Sequence, residues 1–213
     1  MKRIFGILLL FFAATATGAQ VADSSLGRKF IIREFNWEIF IPKGFDTVSV
    51  EEWKRLQQKG MEALEKTVES DLENHSKTLF VFRSGKQNNY FEANWQEFDP
   101  AKDGDYAENC QSVYKILHQT FTQQMPDVTV DSSYAIETIS GLKFHRFRTE
   151  IHLNDQVSLV SVMYNHLFGK RDFTVNIMYM DLQAGVAMLH AWKNSRFLTN
   201  VRFIPKRPVK KAH

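Results

Sequence analysis

Three sets of residues in this chain have types and spacings that could do chemistry. The first is Asp99, Asp103, Gly104, Asp105 and Glu108. Carboxylates crowded around a glycine are the donor type for a hard cation such as calcium. Their spacing lacks the alternation of an EF-hand loop, and they stand where a helical stretch begins. Side-chain oxygens there accept from free backbone N–H groups and oppose the helix dipole, so capping is the expected role and no metal site is assigned. The second set is the histidines, seven in all and scattered. His145 and His166 fall diagonally across an expected hairpin, where packing is commoner than ligation. His145 or His152 would be the base of an enzyme with a non-standard site. The phosphate-binding, dinucleotide, nucleophile-elbow and zinc-protease motifs are all absent. The expectation is therefore a non-enzyme, with no catalytic residue and no cofactor.

The third set follows from strand alternation. With Asn154-Asp155 and Gly169-Lys170 as two-residue turns, Arg148 faces Ser161, Arg146 faces Met163, Ser161 faces Met178, and Met163 faces Asn176. One surface then carries Phe147, Ile151, Val160, Val162, Tyr164, Phe173, Val175, Ile177 and Tyr179, and is core. The other brings Arg146, Arg148, Ser161, Met163, Asn176 and Met178 together. Methionines adapt to varied partners and arginine forks onto carboxylates. These six residues form a candidate partner or ligand surface. A covering helix, with Arg148 and Glu150 paired at its edge, is the competing expectation.

The elements that would position these groups can be read from periodicity. Residues 28 to 41 read as a strand ended by Pro42 and Gly44. Ser49 and Glu52 form a capping box for a helix of about 24 residues, with Val50, Trp53, Met61, Leu64, Val68 and Leu72 on its apolar side. Strands over 79–82 and 90–98 follow, the second alternating Phe91, Ala93 and Trp95 with more polar neighbours. A helix over 105–124 carries Tyr106, Cys110, Val113, Tyr114, Leu117 and Phe121 on one side, which places the single thiol in the core. Strands over 127–138, 141–152, 156–167 and 171–180 come next. Asp181 then caps a helix running to about 197 that buries Leu182, Val186, Leu189 and Trp192. Adjacent strands with tight turns make an antiparallel sheet, and amphipathic helices must cover it. The expected fold is α+β: six to seven antiparallel strands in a layered α/β/α sandwich, one domain over 28–204.

This order resembles the PsbP-like and Mog-like α/β/α sandwich group. The resemblance rests also on Trp37-Glu38-Ile39-Phe40-Ile41-Pro42-Lys43-Gly44-Phe45, on Ser140-Gly141-Leu142-Lys143-Phe144 and on Asn194-Ser195-Arg196-Phe197. The group includes a photosystem accessory protein, a nuclear-transport regulator that binds a small GTPase, and exported bacterial proteins of unclear role. It implies a binding or accessory role and carries no catalytic residue across.

The first 19 residues read as a cleaved secretory signal. Lys2 and Arg3 precede an apolar run from Ile4 to Ala14, and the small residues that follow favour cleavage after Ala19, with Ala16 and Ala22 as alternatives. That run is shorter than the roughly 20 residues a bilayer span needs. A periplasmic or extracellular protein of the bacterial envelope is expected, not membrane-spanning. Its partner would be a protein or a small ligand, and it would be a monomer or weak oligomer. Carriage of a small apolar or amphipathic ligand is the alternative function. The net charge of +3 dissolves on inspection. Six of the 27 basic residues lie in the signal and in the tail 205–213, which reads as disordered. The 21 that remain face 24 acids, leaving a body near −3. Nucleic-acid binding needs a basic patch on that body, so no nucleic-acid partner is expected.

Overall fold

The structure is a computed structural model that describes residues 27–68, 74–85 and 88–198. The expected signal, the expected tail and residues 69–72, expected to finish the first long helix, lie outside these residues. Among the described residues the long elements follow the expected order; a strand at Phe45–Thr47, a one-turn helix at Pro100–Asp103 and a strand at Arg196–Phe197 were not expected, the last helix ends at Lys193 and not near 197, and the first strand is replaced by two. In place of a single strand over 28 to 41, β1 (Arg28–Ile32) and β2 (Trp37–Ile41) form an antiparallel hairpin. A single 3-10 turn, Arg33–Phe35, and Asn36 in the left-handed region (φ 48) reverse the chain between them. Asparagine tolerates that conformation better than most residues, and the turn Arg33-Glu34-Phe35-Asn36 carries neither glycine nor proline to mark it.

After β3 (Phe45–Thr47) and α1 (Val50–Val68), β4 (Lys77–Ser84) and β5 (Tyr90–Glu97) pair directly. The one-turn α2 (Pro100–Asp103) and the long α3 (Tyr106–Gln124) then cross the sheet. The strands β6 (Thr129–Ile139), β7 (Leu142–Asn154), β8 (Val157–Phe168) and β9 (Arg171–Tyr179) meander back, so that β9 lies beside β5. The chain continues through α4 (Leu182–Lys193) to β10 (Arg196–Phe197), which pairs with β2. Seven antiparallel strands result, in the order β3-β4-β5-β9-β8-β7-β6, beside a small sheet β1-β2-β10. The α+β sandwich follows directly: α1 and α3 cover one face of the large sheet, α4 and the small sheet the other.

Local chemistry explains the joints. Ser49 Oγ accepts from the Glu52 N–H (3.1 Å), the first half of the capping box. The other half is not made, because the Glu52 carboxylate turns to Arg83 instead. Asp99 caps α2 and Asp105 caps α3, each accepting a backbone N–H. The acidic cluster is thus spent on helix starts. In α4 the buried side is Ala184, Gly185, Met188, Ala191 and Trp192, while Leu182 and Val186 face out. Small residues let the helix sit close: a Cβ on Gly185 would come within 2.4 Å of the Tyr179 ring. Periodicity of large apolar residues therefore placed Trp192 and the half-buried Leu189 correctly and misplaced Leu182 and Val186. In α1, Leu56 joins the buried side and Val50 leaves it.

Candidate functional site

The sheet face beneath α1 and α3 carries an unusual floor. On the two central strands, Glu92, Asn94 and Gln96 of β5 stand directly opposite Asn176, Thr174 and Asp172 of β9. Asn165 of β8 stands opposite Thr174. All but Asn176 are buried. Glu92 is 1% exposed, and its carboxylate accepts from Trp53 Nε1 (2.9 Å), Gln57 Nε2 (3.2 Å) and Asn176 Nδ2 (2.9 Å). Burial raises its pKa above the usual carboxylate range, opposed by these donors. Uncharged donors of this kind hold a buried acid in place without an ion-pair partner.

Further along, the Tyr106 hydroxyl donates to Asp172 Oδ1 (2.6 Å), and Tyr114 bonds Asn165, which bonds Thr174. Burial pushes Asp172 up to about 7 and the adjacent Cys110 thiol up to about 12. A thiol held that high is protonated and inert at neutral pH. The same burial raises the two tyrosines.

A pocket opens over this floor, lined by Trp53 of α1, Leu117 and Phe121 of α3, Tyr90 and Glu92 of β5, and facing residues of β7, β8 and β9. Four of the six residues expected to share a surface line it: Ser161, Met163, Asn176 and Met178. The pairings Ser161–Met178 and Met163–Asn176 are those expected. The pocket holds about 20 Å³, room for a single water molecule.

Arg146 and Arg148 are elsewhere, and the reason is a slip of register. On β7 it is Thr149 that faces Ser161 and Phe147 that faces Met163; Arg148 faces Val162 and Arg146 faces Tyr164. The turn sits at Asp155-Gln156, because the Asn154 side chain accepts from the N–H groups of Gln156 and Val157 (both 2.9 Å). That displacement alone would keep each residue on its face. The irregularity between His152 and Asn154 adds one more residue, and an odd slip turns the strand over. Phe147 and Ile151 thereby join the α1/α3 side, and the two arginines join the α4 side. There Arg148 pairs with Glu150 (2.7 Å), and Arg146 with Glu137 (3.8 Å), which also holds Lys193 (2.9 Å) and the Tyr164 hydroxyl (3.2 Å).

No histidine lines the pocket. His145 contacts Tyr134 and Tyr106, His152 contacts Asp131 (2.9 Å), and His166 bonds the Lys143 carbonyl. Burial lowers the pKa of His145 and His166. Among the described residues no three His, Cys, Asp or Glu side chains converge as metal ligands, and no helix is long and apolar enough to cross a membrane. The polar floor itself escaped the sequence reading. Alternation of Glu92, Asn94 and Gln96 with aromatic residues looks like a solvent face; the usable signal was that β5 would be central, with both faces covered.

This layered α/β/α sandwich has a PsbP-like fold. Over 86% of its length the chain is similar to the solution structure of cyanobacterial PsbP (CyanoP) from Synechocystis sp. PCC 6803, covering 98% of that chain at 9% identity with a TM-score of 0.50. It also matches the crystal structure of the Saccharomyces cerevisiae Ran-binding protein Mog1p, over 81% of this chain and 96% of that one, at 9% identity with a TM-score of 0.36. No family model and no curated protein matches the chain. Similarity at this identity is similarity of fold.

Proposed function

We propose that this chain is an exported, non-enzymatic binding or accessory protein of the bacterial envelope, which meets a protein partner through its outer surface. The observation that carries this reading is the sealed floor. Its acids, its thiol and Tyr114 are buried and Tyr106 is half-buried, Glu92 is held by uncharged donors and Asp172 by the Tyr106 hydroxyl, and the space above them admits one water. Groups so enclosed hold layers together rather than meet a substrate. The PsbP-like fold is consistent with this as analogy. The apolar first segment with its small-residue cleavage pattern supports export. Ligand carriage fits less well, since sites for small organic ligands usually enclose about 300–1,000 Å³.

The partner surface then falls on the α4 side, where Arg146 and Arg148 lie among Glu137, Glu150 and Lys193. The test starts from protein released by osmotic shock. It should begin at Gln20 and show a bare protein mass by native mass spectrometry. Crosslinking in intact cells should give a discrete adduct that disappears in the Arg146→Ala/Arg148→Ala variant. Retention in the cytoplasm would overturn export, a small-molecule adduct would favour the carrier, and an unchanged crosslink in the variant would remove this surface.

A further inference from the structure

The two edges of the large sheet differ. One is β3, three residues long. The other is β6, eleven residues long, Thr-Val-Asp-Ser-Ser-Tyr-Ala-Ile-Glu-Thr-Ile, paired to β7 without a bulge from Thr129–His152 to Ile139–Leu142. It contains no proline, lysine or arginine, the usual devices that keep edge strands from pairing. The Ile139–Leu142 pair closes a two-residue turn in which Ser140 (φ 50) and Gly141 (φ 81) are both left-handed, the preferred hairpin type. Such a closing pair exchanges both bonds, so alternate residues point the other way. Val130, Ser132, Tyr134, Ile136 and Thr138 therefore aim backbone N–H and C=O groups off the sheet. No described residue pairs with them. Tyr134 (42%) and Ile136 (51%) are also among the few exposed large apolar side chains.

We infer that β6 pairs with β6 of a second copy, antiparallel about a two-fold axis through Ala135, joining two sheets into one. In that register each Tyr134 faces the second copy's Ile136, an aromatic–β-branched pair made twice, and the two exposed apolar groups cover each other. Asp131 faces Ile139 and Glu137 faces Ser133, so no acid opposes an acid. An axis through Tyr134 would set Asp131 against Glu137 in both halves. An axis through Ser133 would leave Tyr134 against Ser132. An axis through Ile136 would leave Tyr134 against Thr138 and pair only seven residues a side, so the axis through Ala135 is the one that joins both exposed apolar groups, as a closed dimer requires. Nine paired residues a side fall short of the roughly 20–30 of a standard interface, so the dimer is weak. This inference is independent of the function proposed above.

The test is sedimentation velocity of the mature chain over a hundredfold range of concentration. The sedimentation coefficient should climb toward the dimer value, and Tyr134→Lys/Ile136→Lys should weaken association about tenfold or more. Ile136→Lys alone guards against loss of the Tyr134–His145 contact (2.7 Å), with circular dichroism confirming the fold. Register is read by mild oxidation of single-cysteine additions. Ala135→Cys should crosslink to itself, because a non-hydrogen-bonded pair brings Cα atoms to about 4.5 Å, within disulfide range. Ser133→Cys should not, and the buried Cys110 provides the unaltered background. A monomer at every concentration, a dimer indifferent to the lysines, a crosslink favouring Ser133→Cys, or β6 amides protected only by a foreign protein would each overturn the inference.

Discussion

The two faces of the seven-stranded sheet are held by opposite means. Toward α4 and the small sheet the fully buried contacts are mostly between carbons, with the ion pairs of Glu137 and Glu150 at the margin. Trp37 stacks on Phe80 and Phe197 and meets Phe173 and Trp192 edge-on, with ring centroids 5.2–5.8 Å apart. Phe80, Phe82 and Phe91 form a stacked row across β4 and β5. The indole N–H groups of Trp37 and Trp192 find no partner among the described residues, a sign that packing outweighs hydrogen bonding there. Toward α1 and α3, specific bonds replace much of the packing: Trp53 and Gln57 tie α1 to Glu92, and Tyr106 and Tyr114 tie α3 to Asp172 and Asn165. Carbon burial supplies free energy without much direction. The polar floor specifies which helix sits over which strands, at a cost in desolvation.

The comparison is tested most severely by Trp192→Ala. Trp192 is fully buried and touches rings of Trp37, Phe144, Tyr164, Phe173 and Phe197. Its truncation should cost about 3–5 kcal/mol, read from the urea midpoint. Trp192→Phe should cost distinctly less, since it keeps a ring and deletes an unbonded N–H. A cost below about 1 kcal/mol for the alanine variant would mean the aromatic face does not dominate stability.

The polar face is tested by pH. An Asp carboxyl titrates near 3.9 when unfolded, and burial holds Asp172 at about 7 when folded. Between those values the native state keeps a proton that the unfolded chain releases. Asp172 therefore makes stability fall as pH rises from about 4 to about 7, and level off above. His145 and His166, lowered by burial, act in the opposite sense, so the useful quantity is the difference between wild type and Asp172→Asn. The asparagine can still accept from Tyr106. From pH 5 to pH 7 the wild type should lose about 2–3 kcal/mol relative to the variant. Parallel curves would show that Asp172 is not the buried, proton-holding group.

This contrast also accounts for what could be read from the sequence. The aromatic face was legible on β8 and β9: Val160, Val162, Tyr164, Phe173, Val175, Ile177 and Tyr179 are where alternation placed them, and Gly169 fixes their turn. The polar face was not. Glu92, Asn94 and Gln96 alternate as solvent-facing residues do, and only long-range contacts with α1 and β9 show that water is excluded. Arg146 and Arg148 were misplaced for another reason. A bulge beside Leu153 has no local signature, yet it inverts every residue of β7 before it. Parity errors are all-or-none, which is why four of the six surface residues were brought together and two were not.

The smallest effect concerns features the two faces share. The helix α3 lies on the polar face and α4 on the aromatic one, but each begins with an aspartate that accepts a backbone N–H: Asp105 from Glu108 (3.0 Å) and Asp181 from Ala184 (2.8 Å). Capping is local, so Asp105→Ala and Asp181→Ala should each cost about 1 kcal/mol by urea unfolding, regardless of face. Asp181 has one added tie, since Asn89 Oδ1 accepts both its N–H and that of Met180 (3.0 and 3.1 Å). Those bonds involve backbone and survive the substitution. Equal costs would show that the faces differ in how helices are held down and not in how they start. A much larger cost at Asp105 would mean that Asp103 and Asp105 act together on α3, and that its seat on the polar floor depends on its first turn.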